Sequence, residues 1–396
     1  MSGQLRWMSL FFLMFPWISF GIFDLDTQPY YIVISVIVVL FSLRSRLPSF
    51  IFLLYINSLL VGLLACITAF RVGFGFSEMR AIASYFGLAV SVHVFYLLFR
   101  DCPYFTLRFI LLANIVWVFA GVAQVVWGKA IFSFLVSVRT TDDRGVTSLA
   151  PEPSYFAVML VFISWVYFLV SDYRPANYLW LMILVNALCV VFFAKSAFGL
   201  LLLLILFFGW FIYNFRYPSR LFFLWCGVVG LGAMAAGLLY FDFFPSSRLV
   251  ALIQRALADP LLLIFKDASL NARASHVVIP LYGAWQDFFI PHGFSYYQLH
   301  SEGLVKYFNG FFWYGYAGSR IMSSVAAPIY ELGWLAFFFF FSLFVSFMAT
   351  GRGWVINLSI MFFFLVGAVP ISFPLVGAVI AIVNVAKPDK CLLECK

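Results

Sequence analysis

Charged residues are scarce in this chain. Asp, Glu, Lys and Arg make up 10% of its 396 residues, whereas a soluble domain has about 25%. Hydrophobic residues make up 65%, and the mean hydropathy is +1.04. So few charges do not cover the surface of a water-soluble protein of this length. The composition therefore excludes a soluble enzyme and predicts a polytopic membrane protein, with membrane lipids as its surroundings and no nucleic-acid partner.

Familiar cofactor and metal motifs are also missing. The sequence has no P-loop, no dinucleotide-binding fingerprint, no HExxH and no CxxC pair. Its six cysteines follow no metal-ligand spacing, and the long polar segments contain none, so no disulfide framework is expected there. Ionisable groups are rare in the apolar runs, where His93 is the main one, whereas ion-coupled transporters need such groups. We expect no cofactor and no metal.

Long apolar runs are what the sequence has in place of charge. A run such as LLLLILFFGWFIY (201–213) lacks the alternation of a barrel strand, so the spans are predicted to be helices. The prediction is one integral membrane domain over 1–396, all-α and polytopic, with 11 or 12 transmembrane helices. The predicted spans are 7–23, 29–43, 49–70, 81–99, 104–127, 154–171, 177–194, 196–214, 221–240, 326–349, 354–369 and 371–386, and the last two are alternatively one broken helix.

The charge distribution predicts the orientation. With both termini in the cytoplasm, the basic residues of the short loops fall inside, as the positive-inside rule requires. Two long segments, 128–153 and 241–325, then lie outside, and the second is aromatic enough to form a packed periplasmic cap. Within it, 247–265 reads as an interfacial helix. This pattern is typical of a multi-pass protein of the bacterial inner membrane.

The first long segment contains charges and prolines that do not belong in lipid. It reads RTTDDRGVTSLAPEPSYF over 139–156. Pro153 and Ser154 predict the start of the next helix, which places Glu152 at the positive end of that helix. Arg144 is the candidate cation. The alternative reading is a solvated loop followed by a helix cap.

The second long segment pairs an arginine with a histidine. Arg273 and His276 are three residues apart and share one helix face, with Asp287 near the same face and Pro280 predicted to kink or interrupt the helix. An arginine fork there is suited to diphosphate oxygens. Alternatively, Arg273 pairs with Asp267 or Asp287, and His276 is a structural residue.

Two other features have both a functional and a structural reading. Lys195, in AKSAFG (194–199), either offers a positive charge to an anionic headgroup or extends to the membrane surface. Tyr296, Tyr297 and Trp313 either bind glycan by stacking or belong to the aromatic belt of the interface.

Several segments resemble motifs of the bacterial O-antigen and capsule polymerases, the Wzy type of the O-antigen polymerase/ligase superfamily. The segment RGVTSLAPEPSYFA resembles an Arg-then-Glu-Pro-Ser motif, and AKSAFGLLLLL a Ser-x-(Gly/Ala) motif. ARASHVVIPLYGAWQDFFIPHGFSYY is similar to an Arg-anchored helix with a Pro-x-Gly turn, and YELGWLAFF to a Glu-x-Gly motif, with VPISFP near the last span. Together these segments extend over roughly the last two thirds of the chain, in the expected order.

The resemblance implies a membrane glycosyltransferase of the GT-C-like kind. It implies that the growing glycan moves from undecaprenyl diphosphate onto a new lipid-linked repeat unit at the periplasmic face, without a metal, in lipopolysaccharide or related polysaccharide biosynthesis. By motif match, Arg144 and Arg273 bind the diphosphate, with Lys195 and Arg320 as further candidates. Glu152 and His276 are the candidates to orient or deprotonate the acceptor hydroxyl. A chain-length regulator is a possible partner protein.

Two alternatives remain open. An O-antigen ligase-like transferase, with lipid A core as acceptor, resembles the polymerase but usually has a histidine nine residues before the Glu-x-Gly glutamate. Counting back from Glu331 gives Met322, which favours the polymerase. A translocase for lipid-linked oligosaccharide is expected to have paired bundle halves and charges that line a central cavity. Here the polar groups concentrate in the loops of one face.

Overall fold

Every regular element that the structure describes is a helix. The computed structural model describes residues 3–19, 28–42, 47–73, 75–141, 144–214, 259–318, 320–348, 353–367 and 369–385. Their helices are α1 Gly3–Met14, α2 Tyr30–Phe41, α3 Ser49–Val72, α4 Phe76–Asp101, α5 Pro103–Trp127, α6 Pro153–Val170, α7 Asn177–Leu188, α8 Ala197–Asn214, α9 Pro260–Lys266, α10 Ala268–Gln286, α11 Tyr296–Val305, α12 Ala326–Leu332, α13 Ala336–Met348, α14 Trp354–Val366 and α15 Pro374–Asn384. The expectation of an all-α protein is confirmed for these residues.

The helices divide into spans of different length. Among the described residues, seven helices are long and apolar enough to cross a membrane: Ser49–Phe70, Glu78–Asp101, Pro103–Trp127, Pro153–Val170, Asn177–Ala194, Ala197–Asn214 and Ala326–Met348. The apolar helices α2, α14 and α15 are shorter than this. The chain is therefore a polytopic membrane protein. The predicted span 221–240 lies outside the described residues, and the count of twelve stays a prediction.

One face of α3 shows how the helices meet lipid. Large apolar side chains are exposed along it at a spacing of three or four residues, which places them on a single helix face. In water such a continuous apolar stripe is unfavourable, but in a bilayer it contacts acyl chains. The members of the stripe are Phe52, Ile56, Leu59, Leu63, Ile67 and Phe70.

The structure divides into two compact units. Unit 1 comprises Met1–Ser9, Tyr30–Leu98 and Leu261–Asn384. In it, the Asn57 side chain of α3 donates to Ser342 Oγ of α13 at 3.1 Å. Buried polar contacts of this kind fix how two apolar helices face each other. Unit 2 comprises Leu10–Pro29, Phe99–Pro260 and Val385–Lys396.

Helix α6 is the central element of unit 2. Nearly all of its side chains are buried, and it packs against α5, α7 and α8. Asn186 of α7 donates to Ser164 Oγ of α6 at 3.0 Å. The helix begins at Pro153, which lacks an N–H that a first-turn residue does not need. The predicted start is confirmed.

The described part of the second long segment is folded. It contains α9, α10 and α11, and α10 packs against α11 and α12 around an apolar cluster that includes Ile279 and Phe312. The prediction that Pro280 interrupts the helix is wrong in its stronger form, because α10 continues through it to Gln286. Pro280 removes one main-chain hydrogen bond, and burial of that helix face compensates for the loss. Most of the predicted interfacial helix 247–265 lies outside the described residues.

Candidate functional site

A single buried amide holds the polar loop of unit 2. Oε1 of Gln124, on α5, accepts hydrogen bonds from the N–H groups of Thr147 at 2.9 Å and Ser148 at 2.6 Å. Its Nε2 donates to the carbonyl oxygens of Lys129 and Ser148, both at 3.1 Å. Ser148 has φ of +54°, a conformation that non-glycine residues rarely adopt. The hydrogen bonds to Gln124 therefore hold the backbone of this loop in one defined conformation.

The same loop lies against the turn before α8. The N–H of Val146 donates to the carbonyl oxygen of Phe193 at 2.9 Å. A Cβ atom at Gly145 would overlap the carbonyl oxygen of Ala194, so only glycine allows this approach. Arg144 directly precedes one side of this backbone contact, and Lys195 directly follows the other side. These two predicted cations thus belong to one region of the fold.

Lys195 ends a π-helical turn, Cys189–Ala194, that follows α7. Its φ of +47° is left-handed, and its side chain is exposed. The next residue, Ser196, accepts a hydrogen bond from Gly199 N–H at 3.1 Å and so caps α8. Arg144 is partly buried.

Glu152 occupies the N-cap position of α6, but its side chain does not cap the helix. Instead its Oε1 lies 3.6 Å from Arg139, and Ser154 Oγ donates to its Oε2 at 3.4 Å. The Glu152 side chain is 31% exposed, so the carboxylate remains accessible. Unit 2 therefore contains Arg139, Arg144, Lys195 and Glu152 in two adjoining polar segments.

In unit 1, the Pro-x-Gly turn binds the Glu-x-Gly segment directly. Gly293 N–H donates to the carbonyl oxygen of Glu331 at 3.0 Å, and Trp334 N–H to that of Phe289 at 2.8 Å. Gly333 has φ of +57°, and a Cβ atom there would overlap the Phe289 carbonyl oxygen. The glycine of each motif is therefore used at their contact.

His292 connects the same two motifs through its side chain. Its Nδ1 donates to the carbonyl oxygen of Tyr330 at 3.0 Å, and the two rings stack at 4.3 Å. Its Nε2 lies 2.8 Å from Asp287 Oδ2. Three residues after His292, Ser295 Oγ donates to Glu78 on α4 at 2.6 Å. These contacts hold the start of α4 and the Glu-x-Gly segment to one turn.

A group of charged side chains gathers at this junction. Arg80 interacts electrostatically with both Glu331 and Arg320, and Arg320 also interacts with His276. Arg80, Arg320 and Glu331 are all partly buried. Sequence reasoning included Arg320 and His276 but missed Arg80, and it used Glu331 only as a motif position. An arginine at the very start of a long apolar span was the available signal for Arg80.

His276 is buried in α10, with 0% of its surface exposed. Its Nε2 lies 2.7 Å from the carbonyl oxygen of Gly315, which only accepts, so Nε2 donates and Nδ1 is the basic nitrogen. Burial lowers the pKa of His276 below its ordinary value, and the charge of Arg320 lowers that pKa further, while the bond to Gly315 opposes both. His276 is therefore neutral near pH 7.

Arg273 lies beside the buried face of α10 and is partly exposed. The two aspartates considered as its partners also make contacts of their own, and the alternative of an ion pair with Arg273 stays open. Asp267 caps α10 by accepting from Leu270 N–H at 2.9 Å, and Asp287 bonds His292. The helical face predicted for Arg273 and His276 therefore includes both residues, with His276 inside and Arg273 at the margin.

The three aromatic candidates differ in exposure. Trp313 is 48% exposed, and its Nε1 donates to the carbonyl oxygen of Phe265 at 2.5 Å. Tyr296 is 38% exposed and stacks on His300 at 3.6 Å. Tyr297 is only 2% exposed and packs against Tyr330, so it presents no ring face to a sugar.

The described residues contain no group of three or more His, Cys, Asp or Glu side chains placed to hold a metal ion. Comparison with protein-family models gives no match to this chain, and comparison with curated proteins gives none either.

Proposed function

We propose that this chain is an O-antigen polymerase, or the polymerase of a related surface polysaccharide. In this proposal it crosses the bacterial inner membrane about twelve times, and 128–153 and 241–325 face the periplasm. It transfers a growing glycan from undecaprenyl diphosphate onto a new undecaprenyl-diphosphate-linked repeat unit. A chain-length regulator is its expected protein partner.

The observation that supports the proposal is the charged group in unit 1. Charged side chains within an apolar bundle are costly, so they are retained mainly where they bind or react. Two arginines, Arg80 and Arg320, belong to this group together with Glu331, and guanidinium groups are suited to diphosphate oxygens. His276 interacts electrostatically with Arg320, and its Nδ1 is the basic nitrogen. A diphosphate site and a hydroxyl-orienting site side by side are what glycan transfer requires.

The proposed reaction is a single group transfer. The acceptor hydroxyl oxygen bonds to the anomeric carbon of the donor glycan, and the bond from that carbon to the diphosphate oxygen breaks. The leaving diphosphate takes the electron pair, and arginines stabilise its charge. The acceptor proton passes to a basic side chain, for which Glu331, Glu152 and His276 Nδ1 are the candidates.

Each unit contains further candidate cations. In unit 2, Arg144 and Lys195 flank one backbone junction, and in unit 1, Arg273 is partly exposed. We propose that Arg144 and Arg273 bind diphosphate and that Lys195 has a weaker part in the same role. Tyr296 and Trp313 are the proposed glycan contacts, because both leave a ring partly exposed.

The test is complementation of a strain that lacks the gene. The strain receives wild type, Arg80→Ala, Arg320→Ala, Glu331→Gln, Arg144→Ala, Arg273→Ala or Glu152→Ala, and membrane levels of each variant are matched. We expect lipid A core with a single repeat unit from the strain without the gene. We expect the same product from the variants Arg80→Ala, Arg320→Ala and Glu331→Gln. Arg100→Ala is the control on the same helix as Arg80, because Arg100 forms an exposed ion pair with Asp101.

Three outcomes discriminate between the readings. Bare core together with accumulated lipid-linked polymer would identify a ligase. Loss of all repeat units from the periplasmic face would identify a translocase. A wild-type ladder from Arg80→Ala, Arg320→Ala and Glu331→Gln would show that the charged group of unit 1 is not the reacting site.

A further inference from the structure

Three buried polar atoms belong to side chains of α10 and α11, two helices that pack against each other. They are Nδ1 of His276, the hydroxyl of Tyr297 and the hydroxyl of Ser301, and none has a hydrogen-bond partner among the described residues. The residues themselves are 0%, 2% and 0% exposed. Buried polar atoms are rarely left unpaired in proteins, so three on two packed helices require a physical explanation.

The packing of α10 against α11 brings two of these side chains into contact. The rings of His276 and Tyr297 have centroids 5.9 Å apart. Tyr297 and Ser301 are four residues apart on α11, so they share a helix face. The other side of the His276 ring is occupied, since Nε2 bonds Gly315 and Gly318 lies against the ring edge. Nδ1 is therefore the nitrogen left to the α10–α11 contact.

We propose that these three groups bind one ordered water molecule enclosed between α10 and α11. The water would donate to Nδ1 of His276, which accepts because Nε2 holds the hydrogen. The Tyr297 and Ser301 hydroxyls would supply its other bonds. Buried waters typically make about three hydrogen bonds to otherwise unpaired groups.

The chemistry of the site explains its choice of ligand. The surrounding cluster is apolar and includes Ile279, Phe312 and Tyr330, so the polar atoms have no bulk water to bond. Burial also raises the pKa of Tyr297 above its ordinary value, which keeps its hydroxyl neutral. A small neutral donor and acceptor is suited to such a site, whereas an ion is not.

The water also has one consequence for catalysis, and this consequence rests on the proposed function. If His276 takes part in that reaction, the enclosed water, by donating to Nδ1, keeps the hydrogen on Nε2 and fixes the orientation of the imidazole ring. Tyr297 and Ser301 are then positioning residues, which act through the water and do not touch substrate.

Thermal stability in detergent tests the water without reference to activity. The variant Tyr297→Phe removes one hydroxyl and keeps the ring. If the hydroxyl is bonded to water, its loss lowers the melting temperature. If it is unpaired, its removal relieves a desolvation cost and raises the melting temperature. The sign of the shift therefore decides the question.

Tyr31→Phe is the matched control, because the Tyr31 hydroxyl is buried and donates to the carbonyl oxygen of Ser372 at 2.8 Å. We expect Tyr297→Phe and Tyr31→Phe to lower the melting temperature by similar amounts. Ser301→Ala is the second variant, compared with Ser346→Ala, whose hydroxyl is buried and bonds Ser342. An unchanged or higher melting temperature for both Tyr297→Phe and Ser301→Ala would overturn the proposal. Either result leaves the complementation test of the proposed function independent.

Discussion

Replacing Gln124 with alanine tests how the polar loop of unit 2 is held. The side chain is 1% exposed, and its Oε1 is the acceptor for two buried N–H groups, those of Thr147 and Ser148. A buried N–H group that loses its acceptor costs about 1–3 kcal/mol. Two such groups predict a loss of about 2–6 kcal/mol in the free energy of unfolding.

The measurement is a denaturant titration of the purified protein in detergent micelles. Gln286→Ala is the matched control. Gln286 is exposed, and its side-chain nitrogen donates to the Tyr282 hydroxyl. Such an exposed substitution changes stability by about 0.5 kcal/mol or less. Equal small losses for Gln124→Ala and Gln286→Ala would refute the reasoning, because the loop would then keep its course without the buried amide.

Three further predictions concern unit 1. Gly333→Ala forces a Cβ atom onto the Phe289 carbonyl oxygen at positive φ. We expect it to lower the free energy of unfolding by about 1–3 kcal/mol in the same titration. An unchanged free energy of unfolding would contradict the close approach. His292→Phe keeps the ring that stacks on Tyr330 but removes both hydrogen bonds, so we expect lower melting temperature and lower polymer yield, and an unchanged protein would exclude a connecting role. Because burial lowers the folded-state pKa of His276, its neutral form contributes stability above the unfolded pKa of about 6.5, and this is lost as pH falls through the folded value. The loss of melting temperature between pH 7.5 and pH 5 should be smaller in His276→Gln, and an equal loss would assign the pH dependence to other groups.

The sequence was sufficient for features that depend on local chemistry. The apolar runs predicted helices, and the proline at 153 marked the start of α6, because composition and φ restriction act within a few residues. The same local reasoning overestimated Pro280, since burial of α10 compensates for a lost hydrogen bond, and local patterns do not report burial.

The assembly of the candidate site depends on distant residues and was only partly predictable. Arg80 and Glu331 are 251 positions apart in the numbering, and their interaction becomes visible only when the Pro-x-Gly turn holds both segments. The resemblance identified the Pro-x-Gly turn with Gly293 and the Glu-x-Gly segment with Glu331 as two separate motifs. It did not predict that the N–H of one donates directly to the carbonyl oxygen of the other.

The junction between the polar loop and the turn before α8 has a consequence for how this sequence is free to change. Val146 and Phe193 meet through main-chain atoms, which every amino acid except proline provides alike. Their side chains can therefore drift to other types while the junction persists, but Gly145 cannot be exchanged without moving the backbone. Inserting or deleting a residue on either side would displace Arg144 relative to Lys195. In homologues that diverge from this chain, we therefore expect the lengths of these two segments to be kept more strictly than the identities of most of their residues.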